Sequence, residues 1–297
     1  YAAALGDPAL VRRLADHAIA RHHPDAAGDY RAFYEAVVDA QARLIAQWMH
    51  VGFIHGVMNT DNMAVTGETV DYGPCAFMDE YNPAMVFSSI DRGGRYAYGN
   101  QPAIAEWNLT RLAECLLPLI SQDDEQAVSE ATESISAFGP QFKEAYDAGL
   151  LRKIGLTETS DVGLARQLLQ IMADNGADFT LTFRRLVDAA LTPDADEALR
   201  ELFIDRTAVD GWLAKWRERL GAGRREAGAL MKSVNPAVIP RNHRVEAAIR
   251  AAIDNDYGPF EELHAVLRNP FDDQTDFAAY MDPPLEQERV RQTFCGT

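Results

Sequence analysis

Long apolar runs are missing from this chain. No stretch of about 18 apolar residues occurs, so no membrane-spanning helix is expected. Basic residues are scarce as well: Lys and Arg total 28 against 45 Asp and Glu, a formal charge of −17. No dense Lys/Arg stripe offsets that field, which argues against nucleic acid and anionic lipid as partners. A nucleotide can still bind if a divalent cation and local basic groups accompany it. Cysteine is sparse, and the three present (Cys75, Cys115 and Cys295) suit a reducing compartment better than a disulfide-stapled secreted fold. The cytoplasm is therefore the expected location. Low-complexity tracts and repeats of fixed period are absent. The first residues, YAAALGDPAL, lack the basic region followed by an apolar one that marks a signal peptide. They do not begin with Met, so upstream material is expected to be missing. What is present is 47% hydrophobic residues over 297 positions, enough for a real core in one large domain or two ordinary ones.

The apolar pattern is helical almost throughout. Asp7-Pro8 reads as an N-cap with a first-turn proline, ahead of Val11, Leu14, Ala18 and Ile19 on one face. Residues 29–50 repeat the period with Phe33, Val37, Val38, Leu44, Ile45, Trp48 and Met49. Further stripes run through Leu109/Leu112/Leu116/Ile120, Leu164/Leu168/Ile171/Met172, Phe183/Leu186/Val187/Ala190, Val209/Trp212/Leu213/Trp216/Leu220 and Val245/Ala248/Ile249/Ala252. Their aromatic and Met positions are expected in the core. Cys115, on such a stripe, reads as a plain core residue. Breaks fall near Gly139-Pro140, Thr192-Pro193, Gly221–Gly223 and Asn235-Pro236.

One stretch departs from this pattern. Residues 53–73, FIHGVMNTDNMAVTGETVDYG, are turn-rich and contain a hairpin signal with Thr66-Gly67 at its tip. With residues 63–65 running out and 69–70 running back, Asn62 and Asp71 become neighbours at the open end, since paired strands lie about 5 Å apart. An amide oxygen and a carboxylate form a hard ligand pair suited to Mg²⁺ completed by water and phosphate oxygens. Protein kinases hold metal with a catalytic-loop Asn and the Asp of D-F-G. Here His55 stands in the place of the histidine of H-R-D, Asn62 follows seven later, and Asp71-Tyr72-Gly73 replaces D-F-G. The bland alternative is an ordinary turn-rich hairpin. The position of the kinase catalytic aspartate, two after the histidine, is Val57, so the usual base for a substrate hydroxyl is absent. Asp61 is the substitute candidate, its alternative role being a loop-stabilising hydrogen bond. His22-His23 and His50 have no partner at metal spacing. Arg92 and Arg95 can meet substrate or phosphate, or pair with acidic neighbours.

HGVMNTDNM, DYGP, FMDEYNP and GRYAYGNQPAIAEWNL, with DFTLTFRRL, VNPAVIPRN, LRNPFDD and the terminal FCGT, resemble the selenoprotein O family of pseudokinases over essentially the whole chain. Residues 86–91 read VFSSID where other members carry a Cys-Asn-His-Ser version, so a histidine-dependent part of the mechanism does not carry over. The resemblance implies a mainly α, protein-kinase-like large lobe with a short β-hairpin at the metal site, over residues 1–121. Within it fall a catalytic loop at 55–62 and an activation segment at 71–102. A helical C-terminal extension follows over 122–297. It implies transfer of AMP from ATP, bound in a flipped orientation, to Ser, Thr or Tyr hydroxyls of proteins, with UMP transfer also ascribed to bacterial members. Asp61 becomes the proposed base, and Asn62 and Asp71 become ligands of Mg²⁺ or Mn²⁺, Asp71 approaching the nucleotide through the metal. The family's glycine-rich loop, strand lysine and helix glutamate have no counterpart before the helix at 29–50. The ATP-binding small lobe is thus expected to be absent from this chain, and the chain alone inactive.

Cys75 lies two residues past Asp71-Tyr72-Gly73, and Cys295 occupies the place where selenocysteine-containing members carry that residue. A disulfide between them would tether the tail to the activation segment; two unpaired thiols are the alternative. Two other functions compete with AMP transfer. A small-molecule kinase of the aminoglycoside-phosphotransferase type needs an Asp where Val57 stands. An inactive kinase-like scaffold has no use for Asp61, Asn62 and Asp71 together.

Overall fold

The computed structural model describes residues 6–294, and the fold is mainly α, with twelve α-helices and two two-residue strands among those residues. The chain forms two compact units whose segments alternate along the sequence. One comprises residues through Gln47, Val57–Tyr72 and Asn100–Tyr146; the other comprises Trp48–Gly56, Gly73–Gly99 and the chain from Asp147 onward. No described helix is long and apolar enough to cross a membrane.

In the first unit, α1 (Pro8–His22) starts as its sequence dictates. Asp7 accepts from the amides of Ala9 and Leu10 at 3.0 and 3.1 Å, with proline at the first helical position. Its buried face is Val11, Ala15 and Ile19. Leu14, expected on that face, is exposed, because the steps of four run through Ala15 and leave Leu14 about 100° around the helix. Along α2 (Tyr30–His50), Phe33, Val37, Val38, Leu44 and Ile45 are buried as expected. The Tyr34 hydroxyl donates to the Leu109 carbonyl of α3 (Gln101–Ile120) at 3.1 Å, and burial pushes its pKa up. Cys115 of α3 is half-buried rather than fully enclosed. α4 (Asp124–Ser136) packs on α3, and Arg31 of α2 bridges Glu35 and Glu133. α5 (Phe138–Lys153) follows directly, with Gly139-Pro140 inside its first turn rather than between helices. Proline is tolerated there because the first-turn amides have no intrahelical acceptor.

In the second unit, β1 (Phe53–Ile54) pairs antiparallel with β2 (Ala76–Phe77), Phe53 opposite Phe77 and Ile54 opposite Ala76. This pair was not legible in the apolar pattern, since two residues cannot display a period. The rest is helical: α6 (Val162–Asn175), α7 (Phe179–Leu191), α8 (Asp196–Arg200), α9 (Arg206–Leu220), α10 (Arg224–Val234), α11 (Asn242–Ile253) and α12 (Gly258–Leu267). The breaks fall at Thr192, Gly221 and Asn235 as read from the sequence. α7 packs on α10, α6 on α9 and α11 on α12. Trp212 and Trp216 of α9 stack with ring centres 5.4 Å apart, their indole N–H groups donating to the carbonyls of Leu164 and Ile154 at 2.9 and 2.7 Å. On α11 only Ala248 of the expected stripe is fully buried, while Ile249 is exposed.

A buried ion cluster fastens the segment after β2 to this helical body. The Arg241 guanidinium reaches Asp79 at 2.7 Å and Asp178 at 2.6 Å and also donates to the Met281 carbonyl at 3.0 Å. Beside it the Phe179 amide donates to the Asp79 carbonyl at 2.7 Å and the Tyr81 amide to Ala177 at 2.9 Å. Desolvation raises the Asp79 pKa against the opposing pull of Arg241.

Candidate active site

The hairpin between β1 and β2 is shorter than its sequence suggests. It closes through a single antiparallel bridge, Met63 to Thr69, and a turn in which the Gly67 amide donates to the Ala64 carbonyl at 3.1 Å. Gly67 sits at φ +71, where a Cβ would come within 2.9 Å of the Ala40 Cβ, so both the dihedral and the close approach to α2 demand glycine. Upstream of the bridge, Thr60–Asn62 form one 3₁₀ turn. Asn62 immediately precedes the bridged pair and Asp71 follows it by two residues.

Each candidate residue occupies a distinct setting. The Asn62 side chain donates through Nδ2 to the Val57 carbonyl at 3.0 Å, which engages its nitrogen and leaves Oδ1 as the acceptor of the carboxamide. Asp71 is exposed and holds a left-handed backbone at φ 57. Asn255 is the other non-glycine residue with positive φ among the described residues; it follows α11, where a left-handed residue is the ordinary helix terminator. Asp71 has no helix to end, so its conformation is a local feature of the Asp-Tyr-Gly turn, of the kind that concentrates at functional sites. Asp61 is exposed, while Val57 is buried with 6% of its surface accessible. The residue two after His55, where the sequence reading looked for a carboxylate, is thus a buried core side chain. Among the described residues no group of three or more His, Cys, Asp or Glu could hold a metal ion. An Asn whose nitrogen is already engaged, with one exposed carboxylate, fits the other arrangement, in which a hard cation takes few protein ligands and completes its shell from water and phosphate.

His55, in the second unit, is fully buried, its ring 5.2 Å from Trp48 and 6.2 Å from Phe53. Further along that unit, Asp91 accepts the amides of Arg95 and Tyr96, both at 2.8 Å, and leaves the Arg92 and Arg95 side chains exposed. Cys75 is half-buried, and Cys295 lies outside the described residues. Close to it in sequence, Thr293 is held firmly: its amide donates to Phe87 at 2.8 Å, its carbonyl accepts from Ser89 at 2.9 Å, and its hydroxyl donates to Pro74 at 2.5 Å.

Three residues that serve the hairpin were not identified as such from sequence. Gln41 donates to the Ala64 carbonyl at 2.6 Å, the His23 Nε2 meets the Val65 carbonyl at 2.9 Å, and Asn108 donates to the Met58 carbonyl at 2.9 Å. Gln41 and Asn108 each interrupt an apolar helical stripe, which is the signal that could have found them.

A profile of the family described as protein adenylyltransferase SelO matches residues 2–268. The protein nucleotidyltransferase YdiU of Bradyrhizobium sp. (strain BTAi1) is 59% identical across the whole of this chain, which covers 62% of that protein. Its namesake from Bradyrhizobium diazoefficiens is 59% identical over 98% of the chain and 61% of its own length. One from Methylorubrum extorquens is 56% identical over 100% and 63%. The chain spans just over three-fifths of the length of these relatives. With nearly all of its residues matched by the profile, it belongs to the protein adenylyltransferase SelO family.

Proposed function

We propose that this chain supplies the kinase-like large lobe, and within it the metal and acceptor side, of a cytoplasmic protein adenylyltransferase whose ATP-binding small lobe lies elsewhere in the full-length protein. The observation that carries the reading is Asp71, an exposed carboxylate held at φ 57 in Asp-Tyr-Gly, at the end of a hairpin whose other limb carries Asn62 with its amide nitrogen engaged by the Val57 carbonyl. The names of the family and of its relatives support nucleotidyl transfer. Asn62 and Asp71 would hold Mg²⁺ or Mn²⁺, which when bound offsets the charge of the nucleotide phosphates. The Ser, Thr or Tyr hydroxyl of a protein substrate attacks the α-phosphorus of ATP, the bond to the β-phosphate bridging oxygen breaks, and pyrophosphate leaves. Asp61 accepts the hydroxyl proton, and its exposed position leaves it accessible to an incoming protein. UTP in place of ATP gives UMP transfer by the same step. The buried Val57 disfavours a γ-phosphoryl kinase, which needs a carboxylate there. A Cys75–Cys295 disulfide, next to the Thr293 anchor, would restrain the segment after Asp-Tyr-Gly and lower activity under oxidising conditions.

The test is incubation of the full-length protein with Mg²⁺ and ATP labelled at either the α- or the γ-phosphate. Label entering protein from α alone is expected, and Asp71→Ala should abolish it. Label from γ alone would overturn the reading in favour of a kinase, and no label in favour of a scaffold. The 297-residue chain by itself should transfer nothing.

A further inference from the structure

The hairpin that carries Asn62 is held by side chains that are costly to bury. The Gln41 side chain is enclosed on α2, with 2% of the residue accessible, and Asn108 is enclosed on α3 at 6%. Each uses its amide nitrogen: Gln41 Nε2 donates to the Ala64 carbonyl at 2.6 Å, and Asn108 Nδ2 is shared between the Met58 carbonyl at 2.9 Å and the Ile104 carbonyl of its own helix at 3.0 Å. The amide oxygen of each is buried without a hydrogen-bond partner among the described residues. A buried, unsatisfied carbonyl costs free energy that a leucine or methionine of similar shape would not. Gln41 interrupts the apolar buried face of α2, Asn108 shares the buried face of α3 with Gln101, and what the two amides provide in return for their unpaired oxygens is a fixed loop.

The geometry points to Gln41 and Asn108 as positioning residues of the cation site, acting through the Ala64 and Met58 carbonyls to hold the Asn62 carboxamide with its nitrogen engaged and its Oδ1 left as the acceptor. This rests on the reading of Asn62 as a cation ligand. Asn108 anchors Met58, the residue next to Val57, whose carbonyl takes the Asn62 Nδ2 proton at 3.0 Å. Gln41 anchors Ala64 two residues beyond Asn62, on the other side. His23 at Val65, 2.9 Å, and Gly67 against Ala40 complete the fastening of the hairpin to α1 and α2. A ligand amide free to rotate presents nitrogen and oxygen to a cation equally; one whose nitrogen is engaged and whose acceptor is itself fixed presents oxygen only.

The test uses the full-length protein with Gln41→Met and Asn108→Leu, and with Gln41→Leu and Asn108→Ala if either fails to fold. Mn²⁺ binding in the presence of ATP is measured by the electron paramagnetic resonance signal of the free ion. Amide hydrogen exchange is followed without metal. Both variants should bind Mn²⁺ about tenfold more weakly and exchange faster at the Asn62 and Gly67 amides, with exchange in the helices of the unit unchanged. If Asn62→Ala loses Mn²⁺ while both variants keep wild-type affinity, the positioning role is overturned. Weaker binding accompanied by faster exchange throughout the unit would reduce the two amides to fold elements, and would overturn it too. If Asn62→Ala itself binds as wild type does, the cation-ligand reading falls first.

Discussion

Lys153 gives the sharpest quantitative test of the fold. It ends α5 with 2% of its surface accessible. Its Nζ donates to the Asn235 Oδ1 at 2.8 Å and lies 4.1 Å from the Phe183 ring centre and 5.2 Å from that of Phe179. No carboxylate among the described residues pairs with it, and Arg184 donates to the carbonyl of the same Asn235 at 3.1 Å. Burial pulls the lysine down from its ordinary 10.5 to about 7. Between those values the unfolded chain holds a proton that the folded chain does not, so stability rises with pH, by up to about 1.4 kcal/mol per pH unit. Below pH 7 the lysine is charged in both states and the folded state carries the whole penalty, on the order of 5 kcal/mol from the size of the shift, less what the two aromatic faces return. Lys153→Met removes the ionisation. Urea unfolding at pH 6.5, 7.5, 8.5 and 9.5, followed by tryptophan fluorescence, should show the variant gaining most at pH 6.5. Its advantage should shrink by about 2.5 kcal/mol between pH 7.5 and 9.5, because groups common to both proteins cancel. A difference between variant and wild type that stays constant within about 0.5 kcal/mol across that range would show that Lys153 is not neutralised by folding, and would refute the argument.

Arg241→Met should destabilise the protein by about 3–5 kcal/mol at pH 7.5, since it strands the Asp79 and Asp178 carboxylates in the interior. Asp79, already raised by burial, loses the opposing pull of Arg241, so the loss should diminish by pH 5; thermal melts at the two pH values check this, and equal losses would contradict it. Gly67→Ala combines a left-handed backbone with a 2.9 Å approach to Ala40. It should cost about 1–2 kcal/mol or more and speed amide exchange at the hairpin. Asp71→Asn keeps a residue type that tolerates φ 57, so its melting temperature should stay near wild type while α-phosphate transfer falls. A matching collapse in stability would assign Asp71 to the fold rather than to the metal.

The helices were legible in the sequence wherever caps and period agreed. Asp7-Pro8, Thr192-Pro193 and Gly221 each mark an end that the structure places within a residue or so. Failures occurred where period is a weak guide. The β1–β2 pair is too short to alternate, Leu14 and Ile249 lie off the buried face although apolar, and the hairpin keeps only one bridged pair. At the candidate site, residue types and spacing singled out Asn62 and Asp71, and the structure adds what spacing cannot hold: that the Asn62 amide nitrogen is engaged by the Val57 carbonyl, and that Asp71 is left-handed. Sequence showed Val57 as a missing carboxylate; burial shows that its place is now part of the core. Gln41 and Asn108 illustrate the remaining gap. A polar residue on an apolar stripe is visible as an anomaly in one dimension, yet its acceptor lies 23 residues away in one case and 50 in the other. Only the folded chain brings amide and carbonyl together, so the cost of a buried amide can be read from sequence before its purpose can.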